Sequence, residues 1–137
     1  MKVVIDTNII VSGLLSPYGK PADILRLLLS GEVIICYDAR IISEYRDVLH
    51  RSRFGFNRYK IEIILDYIEN FGEIVTALPL KKSLPDPDDN PFLEVAISGK
   101  VNFLVTGNKR HYVKECCENI QVVTPLEFIE AYSNKIT

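Results

Sequence analysis

The sequence is poor in the residues that build stapled or zinc-bound scaffolds: of its 137 residues, three are cysteine and two are histidine. Cys36, Cys116 and Cys117 are odd in number and lack zinc-like spacing, and His50 and His111 are the only imidazoles, so a structural zinc site is not expected. Free thiols in a reducing compartment are the simpler account, and the cytoplasm is the expected location. Long hydrophobic runs are also missing. Stretches such as Ile9-Ile10-Val11 and Leu27-Leu28-Leu29 fall far short of the roughly 20 residues of a span. No charged region precedes an apolar one at the N-terminus, so neither export nor a membrane is expected. Three chemistries lose their usual signature: there is no Gly-x-Ser-x-Gly elbow, no Gly-x-x-x-x-Gly-Lys phosphate loop and no Gly-x-Gly-x-x-Gly.

What is present is ordinary for a compact globule. With 47% apolar residues, seven glycines and seven prolines, disorder and collagen-like or coiled-coil architecture are excluded. The length fits one domain over residues 1–137, burying about two-thirds of the unfolded chain's surface.

A formal charge of −2, from 16 basic and 18 acidic residues, argues at first against a nucleic-acid partner. The positions of the charges alter that inference. Arg40, Arg46, Arg51, Arg53, Arg58 and Lys60 crowd into residues 40–60 beside only Glu44 and Asp47, and Lys100, Lys109, Arg110 and Lys114 occupy 100–114 with no acid. Either stretch alone is an ordinary solvated surface; together they matter if they flank one site.

Short apolar runs alternate with helical periods. Strands are predicted at Lys2 to Asp6, Glu32 to Tyr37, Glu73 to Ala77, Asn102 to Thr106 and Asn119 to Val123. Helical spacing links Ile24, Leu27 and Leu28 before Ser30-Gly31; Ile41, Tyr45, Val48 and Leu49 between about Asp38 and Arg51; Ile61, Ile64, Leu65 and Ile68 up to Asn70–Gly72; and Phe92, Val95 and Ala96 after Asp88-Asp89-Asn90. Thr124-Pro125-Leu126-Glu127 is a capping box opening a last helix with Phe128, Ala131 and Tyr132. This order predicts an α/β/α sandwich of three layers around a mostly parallel sheet of about five strands. Such folds gather their sites beyond the strand carboxyl ends, where strand order reverses.

Hard oxygen donors stand at those ends. Asp6, followed by Thr7-Asn8, is either a helix N-cap or a ligand at the sheet edge. Glu44 sits at the margin of an apolar helix face and needs a partner, for which Arg40 at i−4 is the structural candidate; Arg46, Asp47, His50 and Arg51 read as solvent-facing. In Leu84-Pro-Asp-Pro-Asp-Asp-Asn-Pro91, Asp86, Asp88 and Asp89 repel one another, at about 4 kcal/mol per pair for ~4 Å and an effective dielectric of ~20. A divalent cation would offset that repulsion. A calcium loop is excluded, because Pro91 stands where Gly is needed and Ile97 where Glu is needed. Thr106-Gly107-Asn108 follows the fourth strand as a turn and cap or as further donors. Oxygen clusters of this kind select Mg²⁺ or Mn²⁺ rather than zinc.

Asp6-Thr7-Asn8, Glu44 within Ser-Glu-Tyr-Arg-Asp-Val-Leu, Asp86-Pro-Asp-Asp-Asn-Pro-Phe-Leu-Glu-Val-Ala and Val105-Thr-Gly-Asn108 resemble, in order and spacing, the successive motifs of the PIN domain family. The likeness is greatest to its small stand-alone, VapC-like toxin members and runs from Met1 to about Tyr132. The resemblance implies an Mg²⁺- or Mn²⁺-dependent ribonuclease acting on single-stranded RNA, the toxin of a toxin–antitoxin pair. It makes Asp6, Glu44 and Asp89 the catalytic acids and metal ligands, with Asp88 and Asn108 completing the metal set and Asp86 or Asp88 as substitutes for Asp89. Thr7, Asn8, Arg40, Thr106, Lys109 and Arg110 are the expected substrate contacts. Asn108 departs from the family's Thr-x-Asp and removes one negative charge. Tyr18, Phe54, Phe56 and Tyr59 offer base-stacking faces or core packing. The family also implies an antitoxin partner and a homodimer, for which apolar residues around Leu25 or Ile63 are candidates. Two other readings follow from the residues: a non-catalytic PIN domain that binds RNA or protein, motivated by Asn108, and a phosphohydrolase, whose usual Asp-x-Asp is missing at Asp6-Thr7-Asn8.

Overall fold

The computed structural model describes residues 1–136. Five parallel strands, β1 (Lys2–Ile5), β2 (Ile34–Tyr37), β3 (Glu73–Ile74), β4 (Phe103–Val105) and β5 (Val122–Val123), form one sheet in the order β3-β2-β1-β4-β5. The order reverses between β1 and β4, whose register pairs Val3 with Phe103, Val4 with Leu104 and Ile5 with Val105. All five predicted strands are present and each is shorter than its apolar run. β3 ends at Ile74, although the Val75 amide still donates to Tyr37 O at 2.8 Å; beyond it the chain runs beside a helix, where the Leu78 amide donates to Ser98 Oγ at 3.0 Å.

Among the described residues six helices cover the sheet: α1 (Thr7–Leu15), α2 (Lys20–Leu29), α3 (Ala39–Leu49), α4 (Arg58–Phe71), α5 (Asn90–Gly99) and α6 (Pro125–Ile136). α5 packs on β1, β2 and β4 beside α3, which carries α4; α6 packs on β4 and β5 and against α2, which in turn holds α1. Three starts follow from side-chain caps: Asp38 accepts from the Ile41 amide at 3.0 Å, Asn57 accepts from Tyr59 and Lys60, and Thr124 and Glu127 form the predicted box. The core contains Val3, Val4, Ile5, Ile35, Leu104 and Val105 from the sheet, each fully buried.

α1 has no counterpart among the predicted periods. Ile9, Ile10 and Val11 are consecutive and all buried, so the helix shows no single apolar stripe to detect. Gly72 closes α4 against β2, and a Cβ there would stand 2.5 Å from the Ile68 carbonyl oxygen and 2.9 Å from that of Ile35. Of the two candidate interface positions, Leu25 is 6% exposed and packed against Gly13 of α1, which removes it from an interface, whereas Ile63 is exposed. Among the described residues no helix is long and apolar enough to cross a membrane.

Candidate active site

The end of β1 brings Asp6 to the point where strand order reverses. Its backbone amide donates to Val105 O at 2.9 Å, which sets it beside Thr106 at the end of β4. Asp6 occupies the N-cap position of α1 but its carboxylate makes no capping hydrogen bond. It accepts instead from the fully buried Thr106 hydroxyl at 2.9 Å, and that hydroxyl accepts from the Asn108 amide at 3.1 Å. Burial pushes the Asp6 carboxyl up from its ordinary value, while Thr106, the Thr7 and Asn8 amides and His111 pull it down. Asp6 thus stands at the N-cap position of α1 with its carboxylate held by Thr106 across the sheet.

Glu44 reaches the same place from α3. Thr7, buried on the first turn of α1, donates its hydroxyl to Glu44 Oε2. Each of these acids is thus fixed by a threonine from another element. Burial raises the Glu44 carboxyl; Asp6 and Asp88 raise it further, against opposing contributions from Thr7 and Arg51. Arg40 is not its partner. The guanidinium lies 2.7 Å from Glu94 Oε1 and 2.8 Å from Asp38 Oδ2, because α5 offers a carboxylate that is otherwise buried. Glu94 Oε2 accepts from the Leu80 amide at 3.0 Å.

The aspartate-rich stretch divides its labour. Asp86 accepts from the Asp88 amide at 3.0 Å and folds a 3-10 turn over Pro87–Asp89, while Asn90 clamps Leu84 and Ser83 at 3.0 Å each. Asp86 and Asp88 are exposed. The Asp89 side chain is 15% exposed, and its Oδ2 is buried without a hydrogen-bond donor. Burial, then Asp6 and Asp86, raise the Asp89 carboxyl to about 6, with His111 opposing and Glu44 adding to the rise. Asp6, Glu44 and Asp89 therefore share one electrostatic environment although they come from β1, α3 and the start of α5.

Two residues that the sequence did not single out join them. A 3-10 turn over Lys109–His111 carries His111 back so that its Nδ1 lies 3.3 Å from Asp89 Oδ2 and its Nε2 3.1 Å from Asn108 Nδ2. The next residue, Tyr112, is 5% exposed with its hydroxyl unpartnered, and burial together with Asp6 and Asp89 raises that phenol. The only sequence signal for either was position, three and four residues beyond Asn108 at a strand end.

The remaining expected contacts spread around this centre. Asn8 and Arg110 are exposed, and Lys109 pairs with Glu127 at 3.1 Å. In the first basic stretch Arg46 pairs with Glu62 and Glu69, His50 with Glu62 and Arg51 with Asp47, so Arg46 and His50 are less open than their helix positions imply. Arg53, stacked on Phe54, and Arg58 and Lys60 carry no ion pair among the described residues. Phe54 and Phe56 stack on each other at 5.5 Å, whereas Tyr18 and Tyr59 stand free.

Among the described residues no three His, Cys, Asp or Glu side chains form a ready-made metal cage. The donor chemistry nevertheless suits a hard cation: carboxylate oxygens, with Asp6 raising the pKa of Glu44 and Asp89, and one of them a buried oxygen lacking any donor.

The sequence matches the PIN domain family over residues 2–110, from the first strand through the turn that carries Asn108. Along its full length it is 30% identical to the uncharacterized protein MJ1680 of Methanocaldococcus jannaschii, covering 95% of that protein. The fold is similar to FitAB bound to an IR36 DNA fragment (TM-score 0.62, 14% identity, 90% of this chain and 94% of the other). It is also similar to VapBC2 of Rickettsia felis bound to a promoter DNA fragment (TM-score 0.59, 18% identity, 90% and 98%). At such identities these two likenesses speak for the fold alone. The family match and the full-length relative, joined to acids gathered at the sheet's switch point, make this chain a member of the PIN domain family.

Proposed function

We propose that the protein is a metal-dependent endoribonuclease that hydrolyses phosphodiester bonds of single-stranded RNA, acting as the toxin of a toxin–antitoxin pair. The observation that carries the reading is that Asp6, Glu44 and Asp89, from three separate elements near the strand carboxyl ends, are partly buried, with Asp6 raising the carboxyls of both Glu44 and Asp89. A protein gains no stability from such an arrangement, so a cationic ligand is the natural completion. Asp6, Glu44 and Asp89 would hold Mg²⁺ or Mn²⁺, with Asp88 and the Asn108 carbonyl at the rim. When bound, the cation supplies Lewis acidity, neutralising phosphate charge and easing deprotonation of the attacking water.

The chain's own residues set the rest. Thr106 and Thr7 hold Asp6 and Glu44 in fixed rotamers, which limits reorganisation on loading. The exposed Arg110 follows the site directly, and Arg53, Arg58 and Lys60 extend a basic surface from the end of α3. Phosphates on either side of the cut strand would meet these cations, with the free face of Tyr59 open to a base. The three cysteines are free and buried, which suits the cytoplasm. The likeness to FitAB and VapBC2 favours an antitoxin partner, and the exposed Ile63 on α4 suits contact with a second copy.

The test is cleavage of a labelled single-stranded RNA with Mg²⁺ or Mn²⁺ by wild type, Asp6→Asn and Asp89→Asn, each purified identically. Cleavage by wild type alone, abolished by EDTA, is expected. Equal cleavage by all three preparations would sink the reading, since the activity would then be a contaminant's. Asn108 keeps a second reading in view, a PIN domain that binds RNA without cutting it; RNA retention by wild type with no cleavage in either metal would favour it.

A further inference from the structure

The turn that joins α3 to α4 is basic and aromatic and lies outside the acidic centre. From Val48 to Ile61 the chain holds Arg51, Arg53, Arg58 and Lys60 and no acid. Arg51 pairs with Asp47, whereas Arg53, Arg58 and Lys60 have no ion pair among the described residues. Within the turn, Gly55 in the left-handed region lets Phe54 and Phe56 stack at 5.5 Å with their planes 15° apart, and the Arg53 guanidinium lies 4.8 Å from the Phe54 ring centre. Both rings also pack on the core, so they buttress the turn and do not serve as its open faces. Tyr59 has the open face, with 83% of the residue exposed. It lines a cleft of about 400 Å³ together with Arg46, His50, Arg58 and Glu62. Glu62 is compensated there by His50 at 2.6 Å and Arg46 at 3.6 Å, which leaves Arg58 as the cleft's open cation. The cleft stands close to the acids without sharing a residue with them. His50 follows Glu44 by six residues, about 9 Å along a helix axis, and Arg51 is near enough to lower the Glu44 carboxyl.

We infer that this cleft is a strand-binding site separate from the acidic centre, in which an unpaired RNA base stacks on Tyr59 while its phosphates meet Arg58 and the neighbouring Arg53 and Lys60. The inference rests on the ribonuclease reading above and adds where the strand is gripped and why it must be single. An unpaired base can offer its face to an aromatic ring, whereas a base inside a duplex is already stacked on its neighbours. Cations without acid partners are free to replace the counterions of the phosphates, and that release favours binding. A turn already held by Phe54 and Phe56 loses little freedom when the strand docks. Binding of this kind requires no metal, and it lowers KM with little effect on kcat. The competing role for Tyr59 is contact with a second copy, since the exposed Ile63 stands one helical turn along α4 on the same face. That apolar role leaves the three unpaired cations without a use.

The experiment is fluorescence anisotropy of a short labelled RNA, single-stranded or annealed to its complement, titrated with the full chain in EDTA. Each protein carries Asp6→Asn so that no cutting occurs, and Tyr59→Ala, Tyr59→Phe or Arg58→Gln with Lys60→Gln is added. Tyr59 is on the surface, so its replacement leaves the core intact. Tyr59→Ala should weaken binding of the single strand about tenfold and leave the duplex little changed, while Tyr59→Phe should keep the affinity. The paired glutamine variant should flatten the salt dependence, by about one in the slope of log affinity against log salt. With Asp6 restored, Tyr59→Ala should raise the KM of cleavage and leave kcat nearly unchanged. Undetectable RNA binding, unchanged single-strand affinity in Tyr59→Ala, or an equal loss for strand and duplex would overturn the site and leave the nuclease reading standing. So would a Tyr59→Ala protein whose monomer–dimer balance shifts in light scattering while its RNA affinity holds. Tyr59-dependent binding with no cleavage by wild type in Mg²⁺ or Mn²⁺ would instead support the strand site and sink the nuclease reading.

Discussion

Asp89→Asn should stabilise the metal-free protein, and by an amount that depends on pH. Burial and the neighbouring Asp6 and Asp86 lift the Asp89 carboxyl from its ordinary 3.8 to about 6. Between those two values the folded protein holds a proton that the unfolded chain has released, so stability falls as pH rises through the window. Below pH 3.8 the penalty is absent; above 6 it is complete. A shift of about two units corresponds to about 3 kcal/mol, and screening by the solvent that reaches the carboxyl reduces this to about 1–2 kcal/mol. Asparagine has nearly the same shape and no charge. In urea unfolding with EDTA, Asp89→Asn should therefore exceed wild type by about 1–2 kcal/mol at pH 7.5, or roughly 3–6 °C in Tm, and match it near pH 4. Saturating Mn²⁺ should reverse the order at pH 7.5, because only the wild type keeps that ligand. An Asp89→Asn protein that is less stable than wild type at pH 7.5 without metal, or a difference that ignores pH, would refute the claim that these acids are held together against repulsion.

Three further outcomes follow from named contacts. Arg40→Ala strands the buried Glu94 with only the Leu80 amide, and should cost about 2 kcal/mol in chemical denaturation, discounted because the guanidinium is half exposed. Its effect on Mn²⁺ affinity should be small, because the pair lies outside the acids proposed to hold the metal. Tyr112→Phe deletes a buried hydroxyl without a partner and should raise the stability of the metal-free protein by about 1 kcal/mol, read as a shift in the urea midpoint at constant slope. Gly72→Ala drives a methyl against two backbone carbonyls that cannot swing aside. A loss of about 2–3 kcal/mol is expected, and a neutral result would contradict the close approach of α4 to β2.

Much of this architecture could be read in the sequence because buried parallel strands need continuous apolar runs, and all five runs became strands. Strand ends were less legible. The pattern of β3 continues to Ala77, yet beyond Val75 the segment leaves the sheet to run along α5, a choice made by tertiary contacts. α1 escaped notice for the opposite reason, being apolar on too many sides to show a period. Within the site, the residues after β1 and β4 could be placed from topology alone, since a switch point fixes where they meet. Among the three aspartates the motif spacing favours Asp89, but only the fold shows the physical difference, that Asp86 bends the turn while Asp89 is buried. Arg40 illustrates a local rule overruled: the i−4 spacing to Glu44 is sound for an isolated helix, but Glu94 on a neighbouring helix is the more deeply buried carboxylate. His111 stands in a basic run with no spacing signature, and a 3-10 turn alone brings it to Asp89.

The most direct test of the central claim is an anomalous difference map from crystals of the full chain soaked in MnCl₂ at neutral pH. A Mn²⁺ peak within bonding distance of Asp6 and Asp89, with Glu44 beside it, is the expected result. Manganese bound only elsewhere on the surface, with Asp6, Glu44 and Asp89 unchanged and no peak between them, would contradict it.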